Sequence, residues 1–571
     1  TFVAQDYSEY AIYSRMIYTQ GSLILRMLRD MGGEEKMLEI LRTYYERNRF
    51  KHVDQEAFQA VAEEVLRTDL DWFFGQWLHA TGGVDYSLES VRVQEIGGMW
   101  ETTVRIARNG EMRMPVPLRF EGDGQVADTT VSGGPFEQTV QIQTRFRPKT
   151  VALDPDGEIL DWNALNNHWS ASWIVNPAVD RRLPHPSNRP SSSRDRKIVD
   201  YIPLLWWNDP GGVVLGVQSK GNYMGRYHMS LFRLGLPAIQ MGDKGGGTTQ
   251  FDWGSLYLRL GNPILGSTAR LGHESQFFAG EGRVFASHAY DMDLSALPVS
   301  GSRKTLRLFG SLAAVYDSTY LIPGRWTPRE NLTVEAGAGY VWRSVRPSGE
   351  SRLAGEMSLG INTRNYRYTR GTLEILQDWQ RRRGFQGRMR GFVGVVMGED
   401  PDPETTAWDG SFVPLERRVF LSGGGPYGSI GNPYLRSAGG VLSEYGDATG
   451  GGELRGYYRG ITSPVLVGAN LEVLSPGLEL GPVTLRVGAF ADGAWTSENL
   501  KGFNREGSPV QPDSDLALLW DAGPSLDLQS EWTSDRLRID FPVFVSVPAL
   551  AQSESVNQWA FRIRFQVRAP D

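Results

Sequence analysis

Leu332-Thr333-Val334-Glu335-Ala336-Gly337-Ala338-Gly339-Tyr340-Val341-Trp342-Arg343 is the stretch on which the fold turns. Read in steps of two, Leu332, Val334, Ala336, Ala338, Tyr340 and Trp342 share one face, and Thr333, Glu335, Gly337, Gly339 and Arg343 share the other. Successive side chains of a strand point to opposite sides, so this is a strand with one apolar and one polar side. The end of the chain repeats the pattern: Trp559, Phe561, Ile563, Phe565 and Val567 alternate with Arg562, Arg564, Gln566 and Arg568. One such strand suits a soluble sandwich; many in succession, with Trp and Tyr near their ends, predict a barrel with lipid outside and water inside. The 377 residues from position 195 onward allow about 23 for each of sixteen strands and its connection, which suits a barrel of roughly 14–16 strands. A propeller would need a fixed internal period, and none is seen.

Composition agrees. The 571 residues include 66 Gly, 17 Trp and 22 Tyr, yet only 40% are apolar, because a polar barrel interior dilutes hydrophobicity. No run reaches the roughly 18–20 apolar residues of a membrane helix. The net charge of −7, with both signs mixed along the chain, argues against a nucleic-acid partner, which needs a basic face. Without cysteine there is neither a disulfide framework nor a thiolate metal site. The chain opens Thr-Phe-Val-Ala-Gln with no initiator Met or export signal, and reads as the C-terminal part of a longer protein.

Upstream of the barrel the period changes twice. Residues 1–83 have helical stripes: Leu23, Ile24, Met27 and Leu28; then Met37, Leu38, Leu41, Tyr44 and Tyr45; then Phe58, Val61, Ala62, Val65 and Leu66. Residues 84–168 switch to short alternating runs parted by turns such as Gly122-Asp123-Gly124, enough for a small β-sandwich. Residues 169–195 form a polar linker ahead of a barrel over 196–571. The expected fold is α+β and multidomain: a helical subdomain, a small β-sandwich, then a transmembrane antiparallel barrel.

Five ordered pieces of the barrel resemble the bacterial surface-antigen family of outer-membrane barrels. Arg455-Gly456-Tyr457 resembles its Arg-Gly-Tyr/Phe motif, in which a loop folds back into the lumen. Ala469-Asn470-Leu471-Glu472 resembles the following strand, and Gly488-Ala489-Phe490-Ala491-Asp492-Gly493 its Phe-x-Asp-x-Gly strand. Ala522–Leu526 and Leu537–Pro542 resemble the last two strands before the closing one. The chain departs from the family in continuing past Phe565 to Asp571, and in having no run like the periplasmic repeat domains of its insertases. Inside a barrel a guanidinium needs carboxylate or carbonyl partners, and Asp492, Glu472 and Asp540 are candidates for Arg455.

Residues 8–168 resemble the aminopeptidase N family of zinc peptidases, through Tyr13-Ser14-Arg15-Met16-Ile17-Tyr18-Thr19-Gln20-Gly21-Ser22-Leu23 and the later Asp71-Trp72-Phe73-Phe74-Gly75-Gln76-Trp77-Leu78. The resemblance implies that Tyr18 stabilises the tetrahedral intermediate, its phenol aimed at the developing oxyanion; Tyr13 is a weaker second candidate. The family's H-E-x-x-H zinc motif is absent: the one His-Glu pair, His273-Glu274, is followed by Phe277 where a second His would stand. Zinc is therefore expected in the full-length parent and not on this part, which should be inactive alone.

Two functions follow. One is the C-terminal part of an outer-membrane-anchored zinc metallopeptidase, an aminopeptidase-like hydrolase with a periplasmic peptidase module and a peptide substrate. The alternative is an outer-membrane transport or insertion barrel carrying a non-catalytic peptidase-like binding module. Both have outer-membrane lipid as a partner.

Overall fold

The computed structural model describes residues 14–80, 82–172 and 178–183. Beyond them it describes 196–208, 212–224, 227–239, 255–263, 271–280, 282–295, 302–316, 331–346, 348–363, 367–380 and 384–399. Towards the C-terminus it describes 419, 421, 428–431, 442–444, 451–457, 463–497, 502–503, 509–510, 518–530, 536–546 and 564–567. The chain divides into two compact units, the first mainly residues 1–180 and the second mainly from 199 onward.

In the first unit a π-helical turn (Arg15–Gln20) leads into helices Gly21–Gly32, Glu34–Asn48, Gln55–Leu66 and Asp71–Phe74. The third starts where the Asp54 carboxylate accepts the Ala57 N–H at 3.0 Å, satisfying a donor the helix leaves open. Ile24, Met27 and Leu28 are buried as their spacing requires. The second helix is rotated from its expected stripe: Met37 and Ile40 are buried, whereas Leu38, Leu41 and Tyr45 are exposed. Both stripes have helical periodicity, and packing against neighbouring helices selects the one that includes Ile40. Phe58 joins the helices through edge-on contacts with Tyr44 and Phe74, at 5.2 and 6.3 Å between ring centres.

Two antiparallel sheets follow. Tyr86–Ile96, Met99–Arg108 and Glu137–Thr144 form one; Gln125–Val131, Val116–Gly122, Thr150–Leu153 and His168–Ser170 form the other. Tyr86, Val104, Ile106, Leu118, Phe120 and Val151 are buried in the same apolar cluster as Met27, Val61 and Phe73, so sheets and helices share one core.

The second unit is built on a closed barrel. Its closed order contains twenty strands. Val465–Leu474 and Leu478–Leu480 are one interrupted strand on the same neighbour, as are Arg536–Asp540 and Phe544–Val545. Val179–Arg182, inside the 169–195 stretch, is a short strand at the seam, and Leu442–Glu444 pairs parallel with Arg564–Val567. Merging the two interrupted strands and setting aside the two short ones leaves sixteen strands from Lys197 to Val567 among the described residues. Of the closing stretch, Arg564–Val567 pairs with Leu537–Asp540, while Trp559, Phe561 and Ile563 lie outside the described residues.

Burial follows the alternation. Along Asn331–Arg346, Leu332 and Val334 face out and Thr333 and Glu335 are buried. Along Val465–Leu474, Val467, Leu471 and Val473 are exposed by 42–46%, while Asn470 and Glu472 are 5% and 7% exposed. The next strands repeat it, with Met357, Leu359, Leu373, Ile375, Met389 and Val393 exposed and Ser358, Arg370, Glu374 and Arg390 buried. Apolar outside and ionic inside is the inverse of a soluble protein, and it is stable where the outer surface meets hydrocarbon. Among the described residues no helix is long and apolar enough to cross a membrane.

Candidate functional site

The connection between Gln386–Glu399 and Val465–Leu474 is the longest in the barrel, and one described segment of it, residues 451–457, lies against the inner wall. Leu454 and Tyr457 are fully buried with Tyr368, Phe392, Leu466 and Leu519, and this apolar seat fixes the turn between them. Arg455, at its tip, is 6% exposed.

Three strands supply its partners. Nη2 lies 3.3 Å from Glu472 Oε2, Nε 3.5 Å from Asp492 Oδ2, and Nη1 3.7 Å from Asp540 Oδ1. The guanidinium also sits 4.3 Å from the Phe490 ring centre, a cation–π contact. The Arg455 N–H donates to Asp492 at 3.3 Å, and the Gly456 N–H to Asp521 at 3.1 Å. The Tyr457 hydroxyl donates to the Trp520 carbonyl at 3.1 Å. Position 456 must be glycine, because a Cβ there would stand 2.5 Å from Val545 Cγ1 and 3.1 Å from Asp521 Cβ. The structure places Glu472, Asp492 and Asp540 around Arg455, with Gly456 and Tyr457 next along the chain.

Other residues complete the site. Arg538, 1% exposed, pairs with Glu472 and donates from Nε to Asp540 at 2.7 Å. Asn470 donates to Asp492 Oδ1 and the Gly452 carbonyl, each at 3.1 Å. Arg390 donates to Glu374 at 2.8 Å and to the Gly451 carbonyl at 2.9 Å, gripping the start of the turn. Asp521, Arg538, Asn470 and Arg390 are inward positions of their strands; alternation marks them as lumenal but does not single them out among many such positions.

Tyr18 lies on the π-helical turn Arg15–Gln20 and is 62% exposed; Tyr13 lies outside the described residues. Among the described residues one group of three carboxylates, Glu63, Asp69 and Asp71, could gather around a cation. Its oxygens instead serve the helix start: Glu63 accepts the Leu70 N–H at 2.9 Å, Asp69 the Asp71 N–H at 2.8 Å, and Asp71 the Gln59 amide at 2.7 Å. A set without histidine does not fit a catalytic zinc of the peptidase type.

No family model matches the chain, and no curated protein matches it. Solved structures give distant similarities. Legionella pneumophila aminopeptidase A in complex with aspartic acid is 15% identical, over 25% of this chain and 17% of that one, with a TM-score of 0.21. BamA from Haemophilus ducreyi lacking POTRA domains 1–3 is 11% identical over 89% and 93%, with a TM-score of 0.34. CdiB from Escherichia coli is 10% identical over 62% and 63%, with a TM-score of 0.37. At these scores the fold rests on strand pairing and burial in the chain itself.

Proposed function

We propose that this chain is an outer-membrane transport or insertion barrel whose lumen is obstructed by its own Gly451–Tyr457 segment, with the helical and sandwich region as a non-catalytic binding module. The observation that carries this reading is Arg455 held by Glu472, Asp492 and Asp540 from three strands. A barrel serving only as an anchor has no need of a buried, multiply paired arginine on a loop inside it. Such a set tolerates little misplacement, because breaking one partner leaves charges buried without compensation. A lumen closed by ionic contacts suits a pore that opens on demand. The test is ion conductance in planar bilayers: wild type should pass little current, and Arg455→Ala should pass several-fold more. Equal conductance would refute the reading.

A membrane-tethered zinc aminopeptidase is the second reading, in which Tyr18, on the turn Arg15–Gln20, is the residue concerned. There Tyr18 would supply a hydrogen bond to the oxyanion beside a zinc held elsewhere in the protein. Zinc-dependent peptide hydrolysis by the longer protein, lowered by Tyr18→Phe with little change in KM, would support it over the first.

A further inference from the structure

The same long connection has a second described foothold. Its short helix Gly428–Gly431 rests on another arc of the inner wall, formed by strands between Tyr227 and Asp293. Ile430 is 2% exposed and packs with Tyr257, Phe278 and Phe285. The next carbonyl, that of Gly431, accepts a hydrogen bond from Arg233 Nη1 at 2.8 Å. Arg233 is aimed by its strand neighbour: Nε and Nη2 donate to Gln218 Oε1 at 3.0 and 2.7 Å, and the guanidinium lies 5.4 Å from the Tyr257 ring centre. The wall therefore offers an aromatic pocket beside a positioned guanidinium, and it holds an aliphatic side chain followed by a main-chain carbonyl.

The two footholds differ in chemistry. Around Arg455 the connection is held by ion pairs to three carboxylates, a main-chain bond to a fourth, and the buried Leu454 and Tyr457. Around Ile430 the described contacts include its packing among Tyr257, Phe278 and Phe285 and the Arg233 hydrogen bond to the Gly431 carbonyl. Loss of the Ile430 packing and of the Arg233 bond frees that end. Release uncovers a pocket whose chemistry is general for polypeptide: one apolar residue and the carbonyl after it.

We propose that the Arg233 arc is a peptide-binding site, occupied in cis by Ile430–Gly431, which accepts an aliphatic residue and its following carbonyl from a polypeptide in the lumen. This rests on the transport reading and adds a ligand class and a self-inhibiting contact. Competition sets the behaviour. The tethered segment is always at hand, so an incoming chain succeeds at high local concentration or with a better-fitting residue.

The full chain in detergent, with a fluorescein-labelled Tyr-Gly-Ser-Ile-Gly-Asn-Pro peptide (residues 427–433), tests the proposal by anisotropy. Ile430→Asp expels the cis segment and should bind the peptide at least about tenfold more tightly than wild type. Ile430→Ala, a milder change, should fall between them. Adding Arg233→Ala to Ile430→Asp should return binding to the wild-type level. Equal affinity in wild type and both Ile430 variants overturns the site, as does undiminished binding in the double variant. Conductance separates this from the transport reading. Peptide binding by Ile430→Asp without current in any variant removes transport and leaves the site. Current in Arg455→Ala without peptide binding by Ile430→Asp removes the site and leaves transport.

Discussion

At the scale of single residues, the position of a charge matters more than its presence. Arg455 reaches Glu472, Asp492 and Asp540 because a guanidinium is flat and donates in several directions; an ammonium is a point charge. Arg455→Lys is therefore expected to loosen Leu454–Tyr457 nearly as much as Arg455→Ala, each costing on the order of 3–5 kcal/mol in a buried site. Amide hydrogen exchange across residues 451–457 measures it, and protection kept in the lysine variant would show that charge alone suffices. A second buried acid lies in the sandwich. Asp161 accepts the Tyr86 N–H at 3.0 Å, the Asn163 N–H at 2.8 Å and the Asn167 amide at 3.0 Å, yet burial pushes its carboxyl up to about 7. Its folded value exceeds the unfolded one, so the folded state holds the extra proton and gains most at low pH. That stability is lost as pH rises from about 4 to about 7. Protection factors at residues 84–88, with the intrinsic pH dependence of amide exchange removed, should fall over that window in wild type and stay level in Asp161→Asn.

At the scale of elements, each strand separates two environments, and a change of one position should reverse the outcome. On Val465–Leu474, Leu471 faces out and Glu472 faces the lumen. Leu471→Arg would place a charge against hydrocarbon at a cost of about 2–4 kcal/mol near the bilayer midplane. Thr333→Ser, on the inner side of Asn331–Arg346, keeps a polar group and should leave assembly intact. Folding yield into lipid vesicles, read as the heat-sensitive fast band on a gel, checks this; equal yields would refute the assignment of faces. Glycine positions obey the same local logic. A Cβ on Gly387 would lie 2.1 Å from the Trp379 ring, so Gly387→Ala must displace that ring. The faces were legible because a strand repeats every two residues and cannot slip by one without turning itself inside out. The helix over Glu34–Asn48 was less legible: stripes through Leu38 or Ile40 are equally periodic, and only contact with neighbouring helices chooses. Arg455 was legible through its motif, whereas Arg390, Arg538 and Arg233 are single arginines in alternating runs. Their partners come from sequence positions up to 198 residues away, which local pattern does not reach.

At the scale of the molecule, the even strand number fixes which turns share a rim. Sixteen antiparallel strands return the chain to the side on which it entered, so the start of Lys197–Asn208 and the end of Arg564–Val567 lie on one rim. Counting from Lys197, the turn at Ser348 follows an even strand and lies on that rim, while the turn at Thr363 follows an odd strand and lies on the other. Both side chains are exposed, and the sequence has no cysteine, so one introduced thiol reports one place without background. In sealed vesicles holding the full chain in a single orientation, a membrane-impermeant maleimide added outside should label one of Ser348→Cys and Thr363→Cys. The other should react only after permeabilisation. Labelling of both from outside would mean that the strands between them do not cross the bilayer, and the lipid-facing reading of Met357, Leu359 and Ile361 would fall with it. Labelling of one fixes the rim at which the chain enters the barrel, and hence the side of the membrane from which Lys197–Asn208 is approached.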